Sequence, residues 1–435
     1  MRRSIILLLL LGVTELLRPL GSAGYGAEAL LSLGFLILAA YTVGEIAEAM
    51  HGPKIVGYLV AGVIFGPSVL SSVSAEAIDR LTPVSDVAVA LIAFLAGAEL
   101  RWSEVKRRGI VFLKIMTVEL LLSFVVLASL VYLMAPLVPF LRDSSNVEVV
   151  AFSLLFASIA IVHSPAVTMA LLAETGARGP VARTTLGVVL LTDVFVVVLF
   201  SLVLLGVRAV IPSATGGGLS LSGVTWDIGG ALLVGVLLGL GVVIYLRFLG
   251  QELFLVAVLV AFLGAEVARL AHVETLLTLV TAGFVTENVS REGRGEALRH
   301  AMERSAAPVF VVFFALAGGR IVLGDMVALF PLLVPVALVR AAAIWAGCRI
   351  GASWAGAHEV ERQSVWMGLI SQAGVAIGLA ELVAQAYPEN GARLRTLLLS
   401  LIALNQLIGP ILFRRALSRA GEVEGVHLAP NAVRP

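Results

Sequence analysis

The sequence has a single cysteine in 435 residues. Cys348 has no partner within the chain, so no intramolecular disulfide staples the fold, and cysteine usage says nothing about compartment. Charge is sparse as well: Asp, Glu, Lys and Arg make up 14% of the residues, against about 25% in soluble domains. Aromatics are held to 7%, and the net charge of +1 offers no basic excess for a nucleic-acid partner. Apolar residues fill the space these leave, with 59% hydrophobic content and a mean hydropathy of +1.03. No soluble fold could hide that much apolar surface, so the chain reads as an all-α polytopic membrane protein. Its 43 glycines suit helices whose backbones approach closely in lipid.

A helical span needs about 20 mainly apolar residues. Candidates fall near 4–20, 27–48, 54–71, 83–101, 109–134, 147–172 and 181–207. Seven more fall near 226–248, 251–270, 274–290, 306–322, 326–348, 363–387 and 395–413. The opening "MRRSIILLLLLGVTELL" resembles a signal peptide in its basic start and apolar core, but its cleavage pattern is poor. An uncleaved span is preferred, giving fourteen; cleavage would leave thirteen. Residues 1–420 read as one integral membrane domain, with 421–435 as a cytoplasmic tail. With the N-terminus inside, 20 of the 30 Lys and Arg residues lie on the cytoplasmic side and 8 outside. The other two, Lys114 and Arg340, lie within spans. That asymmetry follows the positive-inside rule and puts both termini in the cytoplasm, with a bacterial inner membrane as the expected location.

Two spans carry interruptions. In "IAIVHSPAVTMALL" of the sixth, Pro165 removes a backbone donor and obstructs the preceding turn, so the helix should break near Ser164. In "GLISQAGVAIGLA" of the thirteenth, Ser371 and Gln372 precede a flexible Gly374. The two spans run in opposite directions at matching places in two inverted halves, a pattern that points to a transporter with its site at the midplane.

Asp193, in "GVVLLTDVFVVVLF", lies about twelve residues into the seventh span, roughly 18 Å from its cytoplasmic end. Arg340 and Glu119 lie at similar depth in the twelfth and fifth spans, and intramembrane ionisable residues are functional candidates by default. Thr192, Ser164, Gln372 and Asn405 are candidate uncharged ligands or supports, joined by Gln406 at plausible depth. Arg340 is expected to be structural, held by Glu119 or by the carbonyl end of a broken helix. His163 is a candidate pH modulator, since its reference pKa is near neutrality. Glu266, His272 and Glu274 fall at an outer connection and are expected to face water.

Three segments together resemble the monovalent cation:proton antiporter superfamily, in its Kef-type and NapA-like branch. "GPKIVGYLVAGVIFGPSVL" is similar to the family's Gly-Tyr-Leu…Ala-Gly…Gly-Pro start, "ALIAFLAGAELRW" to its Phe-Leu-x-Gly-x-Glu-Leu segment, and "LNQLIGPILFRRAL" to its last helix. The resemblance implies a core of helices near 109–207 and 326–413 with two crossing discontinuous helices. It also implies a dimerisation panel near 27–101 and 226–322, a homodimer in lipid, and alternating access by sliding of the core. The family's ion-binding aspartate maps onto Asp193, and its basic residue onto Arg340. The residue before the aspartate, commonly Asp, Asn or Gln, is Thr192 here, and "HSPA" puts His163 where the family often has Thr. Kef-type members carry a C-terminal nucleotide-binding domain, which is expected to be absent here or to reside on another chain.

The expected function is exchange of a monovalent cation, Na⁺ or K⁺, for H⁺, with no cofactor and no enzymatic activity. A proton and a cation would compete for one carboxylate, and with a single exchangeable charge the exchange should be one-for-one and electroneutral. A sodium-coupled symporter of an organic anion, or a gated cation channel, are the alternatives. An aspartyl intramembrane protease would need two central Asp residues, and only Asp193 is central.

Overall fold

The structure is a computed structural model that describes residues 27–211, 221–249, 252–290 and 293–423. The first expected span, near 4–20, and the tail beyond 423 lie outside the described residues. The described residues form seventeen α-helices and no strand. The first half contains α1 (Ala27–Ala49), α2 (Lys54–Phe65), α3 (Ala75–Arg80), α4 (Thr82–Glu99), α5 (Trp102–Met134), α6 (Asn146–Ala160), α7 (Pro165–Thr175) and α8 (Pro180–Val210). The second contains α9 (Leu221–Phe248), α10 (Leu253–Ala271), α11 (Thr275–Val289), α12 (Arg294–Gly319) and α13 (Leu323–Ala328). It closes with α14 (Phe330–Trp354), α15 (Glu359–Gly368), α16 (Gly374–Ala386) and α17 (Asn390–Arg419).

Among the described residues, eight helical segments are long and apolar enough to cross a membrane, or nine if α12 counts as one span across its bend. The α6–α7 pair counts as one of the eight. Helices α2, α11 and α16 are apolar but shorter, 12, 15 and 13 residues. Hydropathy alone therefore finds more spans than helix length does, because several apolar stretches are divided by turns that a sliding window passes over.

Both interruptions have local causes. Helix α6 begins in a capping box, with Ser145 Oγ accepting from the Glu148 N–H and Glu148 accepting from the Ser145 N–H. It ends at Ala160, and the chain restarts at Pro165 with Ser164 as N-cap, its Oγ accepting from the Val167 N–H at 3.2 Å. Helix α15 ends at Gly368, residues 369–373 are non-helical, and α16 restarts at Gly374.

The helices sort into two packed groups. One contains α5–α8 and α14–α17; the other contains α1, α2, α4 and α9–α12. They meet where α7 packs on α4 and α12 and where α17 packs on α2. Within the second group α4 and α11 pack backbone to backbone. A Cβ on Gly283 would overlap the Phe94 carbonyl, and one on Gly97 would overlap the Val280 carbonyl. Small residues give this approach in lipid, where dispersion rather than water exclusion drives helix association.

Because the Phe94 carbonyl belongs to the backbone and has no rotamer to yield, Gly283→Ala should destabilise the protein by about 1–3 kcal/mol. The measurement is the melting temperature of the detergent-solubilised chain; an unchanged melt would mean that α4 and α11 do not hold this contact.

Candidate functional site

The two breaks lie against each other, and Arg340 of α14 joins them. Its Nε donates to the Ala160 carbonyl at 2.6 Å, one terminal nitrogen to Ile370 at 2.8 Å, and the other to Val162 at 3.1 Å. Gln372 adds a donation from Nε2 to Ala160 at 3.0 Å, and its Oε1 accepts from Asn405 Nδ2 at 2.7 Å. These acceptors lie at and just beyond the C-terminal ends of α6 and α15, where helices carry partial negative charge and carbonyls without intrahelical partners. The guanidinium, 1% exposed, is thus spent on backbone and makes no bond to Asp193.

The N-terminal ends of the restarted helices, at Ser164–Pro165 and Gly374, open instead onto a cavity. Asp193 of α8 lines it, together with His163, Ala373, Glu274, Ile228 and Phe313. The cavity lies between the two helix groups and holds about 50 Å³ of water-accessible space, enough for a few waters. Asp193 Oδ1 is buried there without a hydrogen-bond partner. Positive helix ends face this carboxylate, while the cationic side chain occupies the opposite, negative ends.

His163, 1% exposed, bridges two environments. Its Nε2 is 3.1 Å from Glu119 Oε2, and Glu119 Oε1 accepts from Ser123 Oγ at 2.8 Å. Its Nδ1 is buried without a partner beside the cavity. Glu119 therefore sits with His163 and Ser123 rather than in a hydrogen bond to Arg340.

Of the residues singled out as ion ligands, Asp193 and Ser164 line the cavity, whereas Thr192 and Gln372 do not. The Thr192 hydroxyl donates to Val188 of its own helix at 2.8 Å, and Gln372 is held in the Arg340–Asn405 network. Gln406 is buried but does not line the cavity. Glu274 corrects the reading of the outer connection. His272 is exposed and Glu266 pairs with Arg269 at the surface, as a water-facing loop requires. Glu274 instead turns inward, caps α11 by accepting from the Leu277 N–H, and lines the Asp193 cavity.

A multi-pass helical bundle with an unpaired carboxylate at the meeting of two broken helices defines a class, the secondary ion transporters. Residues 33–418 match the family model for the transmembrane domain of the sodium/hydrogen exchangers, and the chain belongs to that family, one of transporters rather than enzymes. Among curated relatives it is 36% identical over 73 residues to a probable Na(+)/H(+) antiporter, GerT, of Bacillus cereus. It is 31% identical over 72 residues to the Na(+)/H(+)-K(+) antiporter GerN of the same organism. Each of these alignments spans 17% of this chain, and they cover 19% of GerT and 18% of GerN. Among solved structures, two of the sodium proton antiporter MjNhaP1 from Methanocaldococcus jannaschii superpose with TM-scores of 0.67 and 0.71. Their sequence identities are 16% and 18%; they cover 90% and 91% of this chain, and 97% and 98% of the MjNhaP1 chain. At that identity the likeness establishes the fold.

Removing Arg340 would leave the Val162 and Ile370 carbonyls without this donor and Ala160 with Gln372 alone. Arg340→Ala should therefore lower stability by several kcal/mol, at about 1–3 kcal/mol for each buried acceptor left unsatisfied. A melting temperature within a degree or two of the parent would show that the breaks are held by other bonds.

Proposed function

We propose that the chain is a secondary antiporter that exchanges a monovalent cation, Na⁺ or K⁺, for H⁺, with Asp193 as the shared binding group. The carrying observation is the Asp193 carboxylate, which lines a small cavity between the helix groups with one oxygen unpartnered. A bare charge in such surroundings is costly, so the carboxylate is occupied either by a proton or by a cation. Ser164 Oγ stands at the same wall and is proposed as a neutral oxygen ligand. Thr192 and Gln372 are proposed to shape the site from behind, through α8 and through the Arg340 network.

Alternating access follows in this reading if the α5–α8 and α14–α17 core moves against the panel of α1, α2, α4 and α9–α12. A homodimer, a bacterial inner-membrane location and cytoplasmic termini complete the proposal, on the strength of the resemblance and the charge asymmetry of the connections. The cavity volume favours a small ion over the organic anion of a symporter. His163, joined to Glu119 and adjacent to Asp193, is proposed as the group through which pH modulates the exchange.

Charge counting sets the stoichiometry. Asp193 is neutral with either Na⁺ or H⁺ aboard, Thr192 does not titrate, and Arg340 keeps its proton. Exchange should be one-for-one and indifferent to membrane voltage, whereas net movement of one charge is worth about 2.3 kcal/mol per 100 mV. Flux in proteoliposomes clamped with valinomycin tests this: a rate that follows the imposed potential sinks the single-carboxylate count.

Asp193→Asn should abolish proton-coupled cation flux, to below about a hundredth of the parent rate, while the protein still folds and melts cooperatively. Parent-like flux in that variant would move the site elsewhere.

A further inference from the structure

Glu274 places a second carboxylate in the Asp193 cavity, and it comes from the other helix group. Asp193 sits on α8, whereas Glu274 begins α11, which packs on α4 and α9. The two line one continuous space with Ile228 of α9. Capping alone does not account for Glu274. The preferred N-caps are Ser, Thr, Asp and Asn, whose short side chains reach the first turn directly. A Glu has two oxygens and about four lone-pair positions, so acceptor capacity remains after the bond from the Leu277 N–H. The wall opposite supplies two buried and unpartnered polar atoms, Asp193 Oδ1 and His163 Nδ1. Farther out, Asp227 of α9 continues the acidic character, its backbone carbonyl accepting from the Glu274 N–H at 3.4 Å. The charged or titratable groups facing Glu274 are thus Asp193 from α8 and His163 from the first break, which line the same cavity, and Asp227 from α9; the exposed His272 of its own connection acts on Asp227.

We propose that Glu274 is a second cation-binding carboxylate, which hands a monovalent cation to Asp193 on one face of the membrane. This rests on the reading of Asp193 as the exchange site. Because the two acids belong to different helix groups, relative movement of those groups separates them. Glu274 then serves only the access state in which the cavity opens past Ile228, toward the α10–α11 connection. It does not accompany the bound cation, so its charge adds nothing to the charge carried per cycle. Its contribution is an asymmetry: tighter cation capture from one side than the unaided Asp193 would give.

The experiment is the half-saturating Na⁺ concentration of exchange by the full chain in oriented vesicles, with Na⁺ added to each face in turn. Glu274→Gln removes the charge and retains an oxygen for the Leu277 N–H; Glu274→Ser does the same with a favoured cap. Each should raise the half-saturating concentration about three- to tenfold on the face bearing the α10–α11 connection. The opposite face should stay within about twofold of the parent. Glu274→Asp, which keeps both charge and cap, should stay within about threefold on both faces. An equal shift on both faces, no shift on either, or equal impairment by Gln, Ser and Asp would overturn the proposal. Asp193→Asn in the same vesicles separates the two readings. Flux lost in that variant, with Glu274→Gln unaltered, strikes Glu274 alone; flux that persists strikes the Asp193 site itself.

Discussion

A helix broken inside a membrane leaves backbone donors and acceptors that lipid cannot satisfy, each at a cost of several kcal/mol. The site is organised around discharging that cost. Helices α6 and α15 stop short; the last carbonyl of α6 and the carbonyls of Val162 and Ile370 just beyond the two ends receive the fan of donors on Arg340 and the amide of Gln372. Asn405 in turn fixes Gln372 from α17. At the restarting ends, the Ser164 side chain takes the first-turn donor, and the helix poles themselves supply positive potential. A geometric consequence follows: the guanidinium is drawn to one pole of each break, and the carboxylate is left facing the other.

This separation sorts the buried polar groups into two layers. In the closed layer the donors and acceptors find partners: Arg340 with three carbonyls, Gln372 with Asn405, and Glu119 with Ser123 and His163 Nε2. In the open layer, Asp193 Oδ1 and His163 Nδ1 are unmatched and border the same cavity. The closed layer gives rigidity, and its satisfied bonds leave little for a ligand to gain. The open layer holds unmet capacity, which is what a transient ligand requires. His163 belongs to both, with Nε2 on Glu119 on one side and Nδ1 at the cavity on the other.

Much of this could be read from residue order. A run of apolar segments with few charges fixed the class, Pro165 and Gly374 marked the breaks, and the expected depth of Asp193 and Arg340 made them candidates. For Arg340 the sequence left Glu119 and a broken-helix carbonyl end open as partners, and its hydrogen bonds go to carbonyls at and beyond the ends of α6 and α15. Other features were hidden for a physical reason. Thr192 looked like a ligand by adjacency to Asp193, yet consecutive helical residues point about 100° apart, and Thr192 turns back onto Val188. Glu274 looked like a loop residue because hydropathy places helix ends at the water boundary. Helix α11 has only 15 residues, and Glu274 at its start lines the same cavity as Asp193. The usable signal was that short length after a tight connection, with an uncommon cap residue at its head.

The separation of Arg340 from Asp193 also bears on why such a site would couple two fluxes at all. Were the guanidinium to lie against the carboxylate, the fold would supply its own permanent counter-ion. The carboxylate would then be stable when empty, and the two helix groups could move without cargo, dissipating one gradient without building the other. With Arg340 committed to Ala160, Val162 and Ile370, the empty carboxylate has the weak helix poles and an apolar cavity wall for surroundings. On the proposed reading, neutralisation comes from outside, by proton or by cation. A second acid on the opposite wall leaves this logic intact. On the proposed reading, Glu274 makes the empty cavity still less tolerant of a bare Asp193 and gives an arriving cation a second negative group to meet before it reaches the first. Coupling in this architecture is thus a property of what the fold withholds from Asp193 as much as of what it provides.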